Sequence, residues 1–202
     1  MQNHIRSKLA ASLLLCGLAV QAGAQTVVLD TYHPDIGYLE GWPTQLGQGR
    51  SVAAAFSLSS ATSIQSLLTT IYGTGGVTLG VLARTGDVPT GSPWLHSVHL
   101  LNPEENTTLT PSGWTLAAGN YWLAAVADDG FEGQWQSATN NPTGTWAAST
   151  NGTWSTMTSL DTGMPGARIT VSAVPEPSTY GLMFAGGLLV AAAARRKARH
   201  QG

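Results

Sequence analysis

The chain is 202 residues long, 43% hydrophobic and 10% charged, with a formal net charge of −2 at pH 7. The near-neutral total hides an uneven distribution. From 25 to 173 the basic residues are Arg50, Arg84 and Arg168, against Asp30, Asp35, Glu40, Asp87, Glu104, Glu105, Asp128, Asp129, Glu132 and Asp161. Such an acidic stretch, devoid of lysine, lacks the cationic surface that a phosphate backbone needs, so no nucleic-acid partner is expected.

Residues 1–24 have the layout of a secretory signal peptide. Arg6 and Lys8 make the positive start, 9–20 the apolar run, and Ala22-Gly23-Ala24 the small-residue cleavage site. Cleavage between Ala24 and Gln25 leaves Gln25 as the first mature residue and implies passage through the general secretion machinery. Cys16 is the one cysteine. It follows Leu15 rather than the small residue of a lipidation site, and it leaves with the signal. The mature chain therefore has no disulfide, no thiol nucleophile and no cysteine metal ligand. A domain of about 150 residues can still hold itself by its core, burying roughly 68–70% of its unfolded surface.

From 25 to 173, short apolar or alternating runs are separated by Gly, Pro, Asn and Asp. Residues 32–49, rich in Gly and Pro, read as a long loop with room for a short edge strand. Strands are predicted over 26–31, 51–58, 63–72, 77–83, 94–101, 120–127, 145–148, 153–157 and 167–173. In Val77, Leu79, Val81 and Ala83 every second residue is apolar, the period of a strand with one buried face; Ile169, Val171 and Ala173 repeat it. Residues 121–126 are apolar on both faces, which predicts a central strand. The breaks carry turn chemistry, as in Gly73-Thr74-Gly75-Gly76, Asp128-Asp129-Gly130 and Asn140-Asn141-Pro142. No long amphipathic helix appears. The expected fold is all-β, a β-sandwich of jelly-roll or immunoglobulin-like outline.

One series within this region carries a likeness. Phe56-Ser57-Leu58, Ser63-Ile64-Gln65-Ser66-Leu67, Val77 to Leu82 and Leu116-Ala117-Ala118-Gly119-Asn120-Tyr121-Trp122-Leu123 follow in order. Over roughly 52–135 the chain resembles the choice-of-anchor R domains, which carry different C-terminal anchors. That resemblance implies architecture and supplies no catalytic residues.

Candidate chemistry is sparse. On the predicted strand 94–101 Trp94, His96 and Val98 share one face and His99 takes the other, so one metal cannot easily take both histidines unless the strand is bulged. Asp128, Asp129 and Glu132 cluster carboxylates as a calcium site would, but without the spacing of an EF-hand loop. Trp94 and Trp122 lie in apolar runs and read as core. Trp135, Trp146 and Trp154 are flanked by Gln, Ser, Thr, Asn and Gly, a setting that suits stacking on sugar rings as well as strand packing. No G-x-S-x-G, H-E-x-x-H or phosphate-binding glycine loop occurs. No cofactor or catalytic residue is expected. Asn106-Thr107-Thr108 and Asn151-Gly152-Thr153 fit the N-x-[ST] pattern.

The last stretch has three parts. Pro175-Glu176-Pro177 is rigid and extended, because two prolines fix φ and remove two backbone donors. Residues 180–194 are uncharged and apolar; as a helix they cover roughly 22 Å, short of the twenty or so residues that span a bilayer comfortably. Arg195, Arg196, Lys197 and Arg199 would then stop transfer on the cytoplasmic side. The run Val174-Pro175-Glu176-Pro177-Ser178-Thr179, an apolar helix and an Arg-Arg-Lys cluster, in that order, resemble the PEP-CTERM protein-sorting signal. The resemblance implies that an exosortase, a membrane-embedded protease-like enzyme, processes the chain after transient anchoring.

The organisation expected is thus a signal peptide at 1–24, an exported domain at 25–173 and a sorting signal at 174–202, with one short transmembrane helix at 180–194. The expected role is non-enzymatic: a structural or adhesive protein of the cell surface or extracellular matrix, associated with exopolysaccharide. A carbohydrate-binding module is the alternative, and a secreted hydrolase with an unrecognised site the more remote one.

Overall fold

The computed structural model of the chain describes residues 25–32, 44–90, 93–137, 144–157, 164–174 and 186–188. The chain divides into two units, Gln25–Ala173 and the combined flanks Met1–Ala24 and Val174–Gly202. Of the second unit, 186–188 is helical and exposed. No helix among the described residues is long and apolar enough to cross a membrane.

Gln25–Ala173 is built of strands, as expected. They are β1 (Gln25–Asp30), β2 (Thr44–Gly47), β3 (Arg50–Leu58), β4 (Thr62–Thr69), β5 (Ile71–Thr74), β6 (Gly76–Ala83) and β7 (Trp94–Leu101). Then follow β8 (Thr107–Leu109), β9 (Thr115–Leu116), β10 (Gly119–Ala127), β11 (Glu132–Trp135), β12 (Trp146–Thr150), β13 (Thr153–Met157) and β14 (Ala167–Ala173). One sheet has the order β1-β14-β4-β8, with β9 also on β4. The other runs β5-β11-β2-β3-β10-β6-β7, with β12 on β3 and β13 on β12. The pairings are antiparallel, which suits short strands joined by tight turns.

Both sheets feed one buried cluster. Leu29, Ile64, Leu67, Ile169 and Val171 come from the first sheet, and Val52, Phe56, Leu79, Val81 and Leu123 from the second. Each such side chain, fully buried, contributes about 1.5–3 kcal/mol. β10 is central, between β3 and β6, as its doubly apolar pattern predicts. Tyr121, Leu123 and Ala125 point into the main cluster, whereas Trp122 and Ala124 join Ala53, Leu82 and Ala147 in a second one on the opposite face. There the Arg84 guanidinium lies over the Trp122 ring, 4.9 Å from its centroid.

Three local features depart from the sequence expectation. The predicted strand 63–72 is two strands in two sheets. The chain crosses at Thr70, whose backbone N–H donates to the Gly166 carbonyl at 3.2 Å while its hydroxyl lies 3.0 Å from the same oxygen. Gly166 in turn donates to the Gln136 carbonyl, 2.7 Å away, so one small knot of backbone ties the sheets together. The second departure is a bulge in β7: Val81 pairs with His96 but Leu82 pairs with Trp94. Leu95 is the extra residue, so Trp94 turns to the second cluster while Val98 packs on the main core. Trp94 and Val98 therefore do not share a face. The third is β2, the short strand within 32–49, which lies between β11 and β3 rather than at an edge.

The β2–β3 and β12–β13 connections are two-residue hairpins. Gln48 and Gly49 have φ of 52° and 78°, and Asn151 and Gly152 have 49° and 78°, the signs of a type I′ turn. The Asn151-Gly152-Thr153 sequon is therefore a hairpin turn. Asn151 N–H donates to the Gly49 carbonyl at 2.7 Å, which holds the two turns side by side.

Candidate functional site

The three tryptophans that the sequence offered as strand packing or as a sugar platform do not form a platform. Trp135 is wholly buried, and its Nε1–H donates to the Gly166 carbonyl at 3.0 Å, in the knot between the sheets. Trp146 is 1% exposed and belongs to the main core. Trp154 is half-buried against the second cluster, on the other face of the sheet. Their polar sequence neighbours are the outward-facing residues of alternating strands, which disguise an inward-facing ring.

The histidines separate as the strand period requires. His96 stacks on Trp114, ring centroids 5.4 Å apart, and its Nε2 lies 3.0 Å from the Thr115 carbonyl oxygen. His99 meets Asp128 instead, with Nε2 and Oδ2 2.7 Å apart. Both groups of this pair are about half exposed, 52% and 48%. The pair sits over Gly76, where an added Cβ would strike both side chains. Of the calcium candidates, Asp128 is thus engaged by His99, while Asp129 and Glu132 are exposed. Among the described residues no group of three or more His, Cys, Asp or Glu side chains could hold a metal ion.

Sequence reasoning missed a groove of about 610 Å³ between two hairpins. β12, not β2, pairs with β3 from Arg50 to Ala54; β2 keeps one bridge to β3, Gly47 with Arg50. The space left where β2 and β12 part is the groove. Thr44 and Gln45 of β2 line one side, and Ala148 and Thr150 of β12 with Thr153, Ser155 and Met157 of β13 line the other. Trp146 also lines it, and its indole Nε1–H is buried with no hydrogen-bond partner. Arg50 stands at the groove with Nη1 3.0 Å from Gln45 Oε1. A second depression of about 570 Å³ lies over β2, β5 and β11 and includes Tyr72 and Gln134, joined by a 3.1 Å hydrogen bond.

The sorting residues Pro175, Glu176 and Pro177, the helix 180–194 and the basic cluster Arg195, Arg196, Lys197 and Arg199 lie outside the described residues, apart from 186–188. So does Ala24, while Gln25 opens β1 opposite Ser172 of β14. Comparison with protein families decides the matter here: residues 173–197 match the model for the PEP-CTERM protein-sorting motif. The chain carries a PEP-CTERM sorting motif. No curated protein and no solved structure matches the chain. The PEP-CTERM match starts at Ala173, the final residue of β14. Such a motif implies an exported, envelope-associated protein with exosortase as its processing partner.

Proposed function

We propose that this is a non-enzymatic surface or matrix protein, with a structural or adhesive role beside exopolysaccharide. On this reading 1–24 is a signal peptide cleaved after Ala24. Residues 180–194 anchor the chain transiently, and exosortase processing then leaves Gln25–Ala173 at the cell surface or outside the cell. That unit is a two-layered sandwich of the choice-of-anchor R kind. The two antiparallel sheets that share one buried cluster support the layering.

The observation that carries the proposal is the PEP-CTERM match at 173–197, directly following the last strand of the exported unit. The non-enzymatic part draws support from the histidines, which face apart and are each engaged by a structural neighbour. The test is fractionation of the full chain and of a chain truncated after Ala173, in a host with and without exosortase. The full chain should be membrane-associated without the enzyme and processed with it. The truncated chain should leave the membrane fraction in both hosts. A truncated chain that still fractionates and matures like the full one would sink the proposal.

A further inference from the structure

The groove between β2 and the β12–β13 hairpin has a composition unlike the rest of the exported unit. Gln25–Ala173 is rich in carboxylates, yet among the described lining residues Arg50 is the one charged group. Arg168 is paired with Asp30 at 3.1 Å, and Arg84 lies over Trp122. Among the described residues Arg50 has no carboxylate partner and bonds the Gln45 amide. A guanidinium offers five donors in a planar fork, and one bond to an amide oxygen leaves most of them free for a carboxylate.

Around that cation the groove presents hydroxyls. Thr44, Ser51, Thr150, Thr153 and Ser155 can each donate or accept, which matches a ligand that itself carries many hydroxyls. Ala148 and Met157 add apolar surface, on which the C–H face of a sugar ring can rest. The Trp146 Nε1–H is a buried donor without an acceptor, a state that costs about 1–3 kcal/mol until one is supplied. A volume of about 610 Å³ is within the range of small-ligand clefts.

Within Gln25–Ala173 the groove lies at the end of β3 away from Ala173. β3 runs from Arg50 to Leu58, and a three-residue turn leads to Thr62, which pairs with Ala173. The chain therefore leaves for the sorting motif near the Leu58 end. Eight residue steps of strand, roughly 26 Å, separate Leu58 from Arg50. Both hairpin turns, at Gln48-Gly49 and Asn151-Gly152, lie at the Arg50 end.

We propose that this groove binds a carboxylated saccharide, with Arg50 taking a uronate carboxylate and the hydroxyl wall taking the ring hydroxyls. The proposal rests on the surface-protein reading for its biological setting, but its chemistry is independent of sorting. The test uses the purified full chain in detergent and calorimetric titration with a 1,4-linked oligouronate and its carboxyl-reduced, neutral counterpart. The oligouronate should bind, and the neutral oligomer at least tenfold more weakly. Arg50→Gln should cost at least tenfold in affinity for the oligouronate, and Arg84→Gln nothing. Ser155→Glu, at an exposed position in the groove, should abolish binding by placing a carboxylate against a carboxylate. Circular dichroism of each variant guards against loss of fold. No binding of the oligouronate, equal binding of the neutral oligomer, or unchanged binding by Arg50→Gln and Ser155→Glu overturns the proposal. Membrane fractionation of Arg50→Gln distinguishes the two readings, since this variant should still be sorted and processed as wild type.

Discussion

Replacing Trp135 tests the packing of the core most sharply, because the sequence left this residue open between strand packing and a sugar-binding surface. The ring is wholly buried, so Trp135→Ala removes an entire indole and leaves a cavity. Substitutions of that kind cost about 3–5 kcal/mol. The knot at Gly166 also loses a donor, but its carbonyl keeps Thr70, at 3.2 Å from the backbone nitrogen and 3.0 Å from the hydroxyl. The acceptor is therefore not orphaned, and Trp135→Phe should cost only about 1–2 kcal/mol. For a domain of about 150 residues each kcal/mol lowers Tm by roughly 2–4 °C, so Trp135→Ala should melt roughly 6–20 °C below wild type. Urea unfolding of Gln25–Ala173, followed by far-UV circular dichroism, reads both differences without depending on tryptophan emission. A Trp135→Ala unit within about 0.5 kcal/mol of wild type would refute the buried placement.

Two further predictions follow from the backbone and the composition. Gly47 has φ of +96°, and a Cβ there would collide with the Phe131 carbonyl, so Gly47→Ala should cost more than about 2 kcal/mol. Gly113, with φ of +75° and open space around it, should lose only about 1 kcal/mol on the same change; equal costs by urea unfolding would contradict this geometry. Because Cys16 is the one cysteine and lies before Gln25, the melting temperature of Gln25–Ala173 should be the same with and without reductant. A helical far-UV spectrum from that unit would contradict the strand assignment.

Much of the strand pattern was legible because it rests on period-two alternation. β6 and β14 follow their alternating apolar residues, and β10, apolar on both faces, is indeed central. The opposed directions of His96 and His99 follow from the same period. What was not legible depends on partners distant in sequence. Nothing local marks Thr70 as a crossing: two β-branched threonines between Leu68 and Ile71 suit a continuous strand, and the bonds that turn the chain come from Gly166. The bulge at Leu95 is visible only once β6 is alongside. Trp135 was left open between core and surface because β11 has Glu132, Gly133 and Gln134 before its single inward ring, too few apolar residues to show a period. The groove arises from the divergence of β2 and β12 at β3, which no local pattern records. The Asn151-Gly152 turn did have a sequence signal, an Asn-Gly pair between two strand-like runs.

Residues 173–197 match a sorting motif, and the proposed function gives each part of it a separate task. On the proposed reading, Pro175 and Pro177 bar a helix at the site that a protease-like enzyme must reach. The apolar run would hold that site at the membrane. The basic cluster would keep the end from being drawn through, since a charged side chain at the bilayer centre costs at least ~2.5 kcal/mol. The direct measurement is an immunoblot of membrane and released fractions after Pro175, Glu176 and Pro177 are all replaced by alanine, in a host that carries the exosortase. The account predicts a chain that remains in the membrane fraction at its unprocessed size, with nothing released. Normal maturation and release of the triple-alanine chain would contradict it and leave 180–194 as a plain anchor.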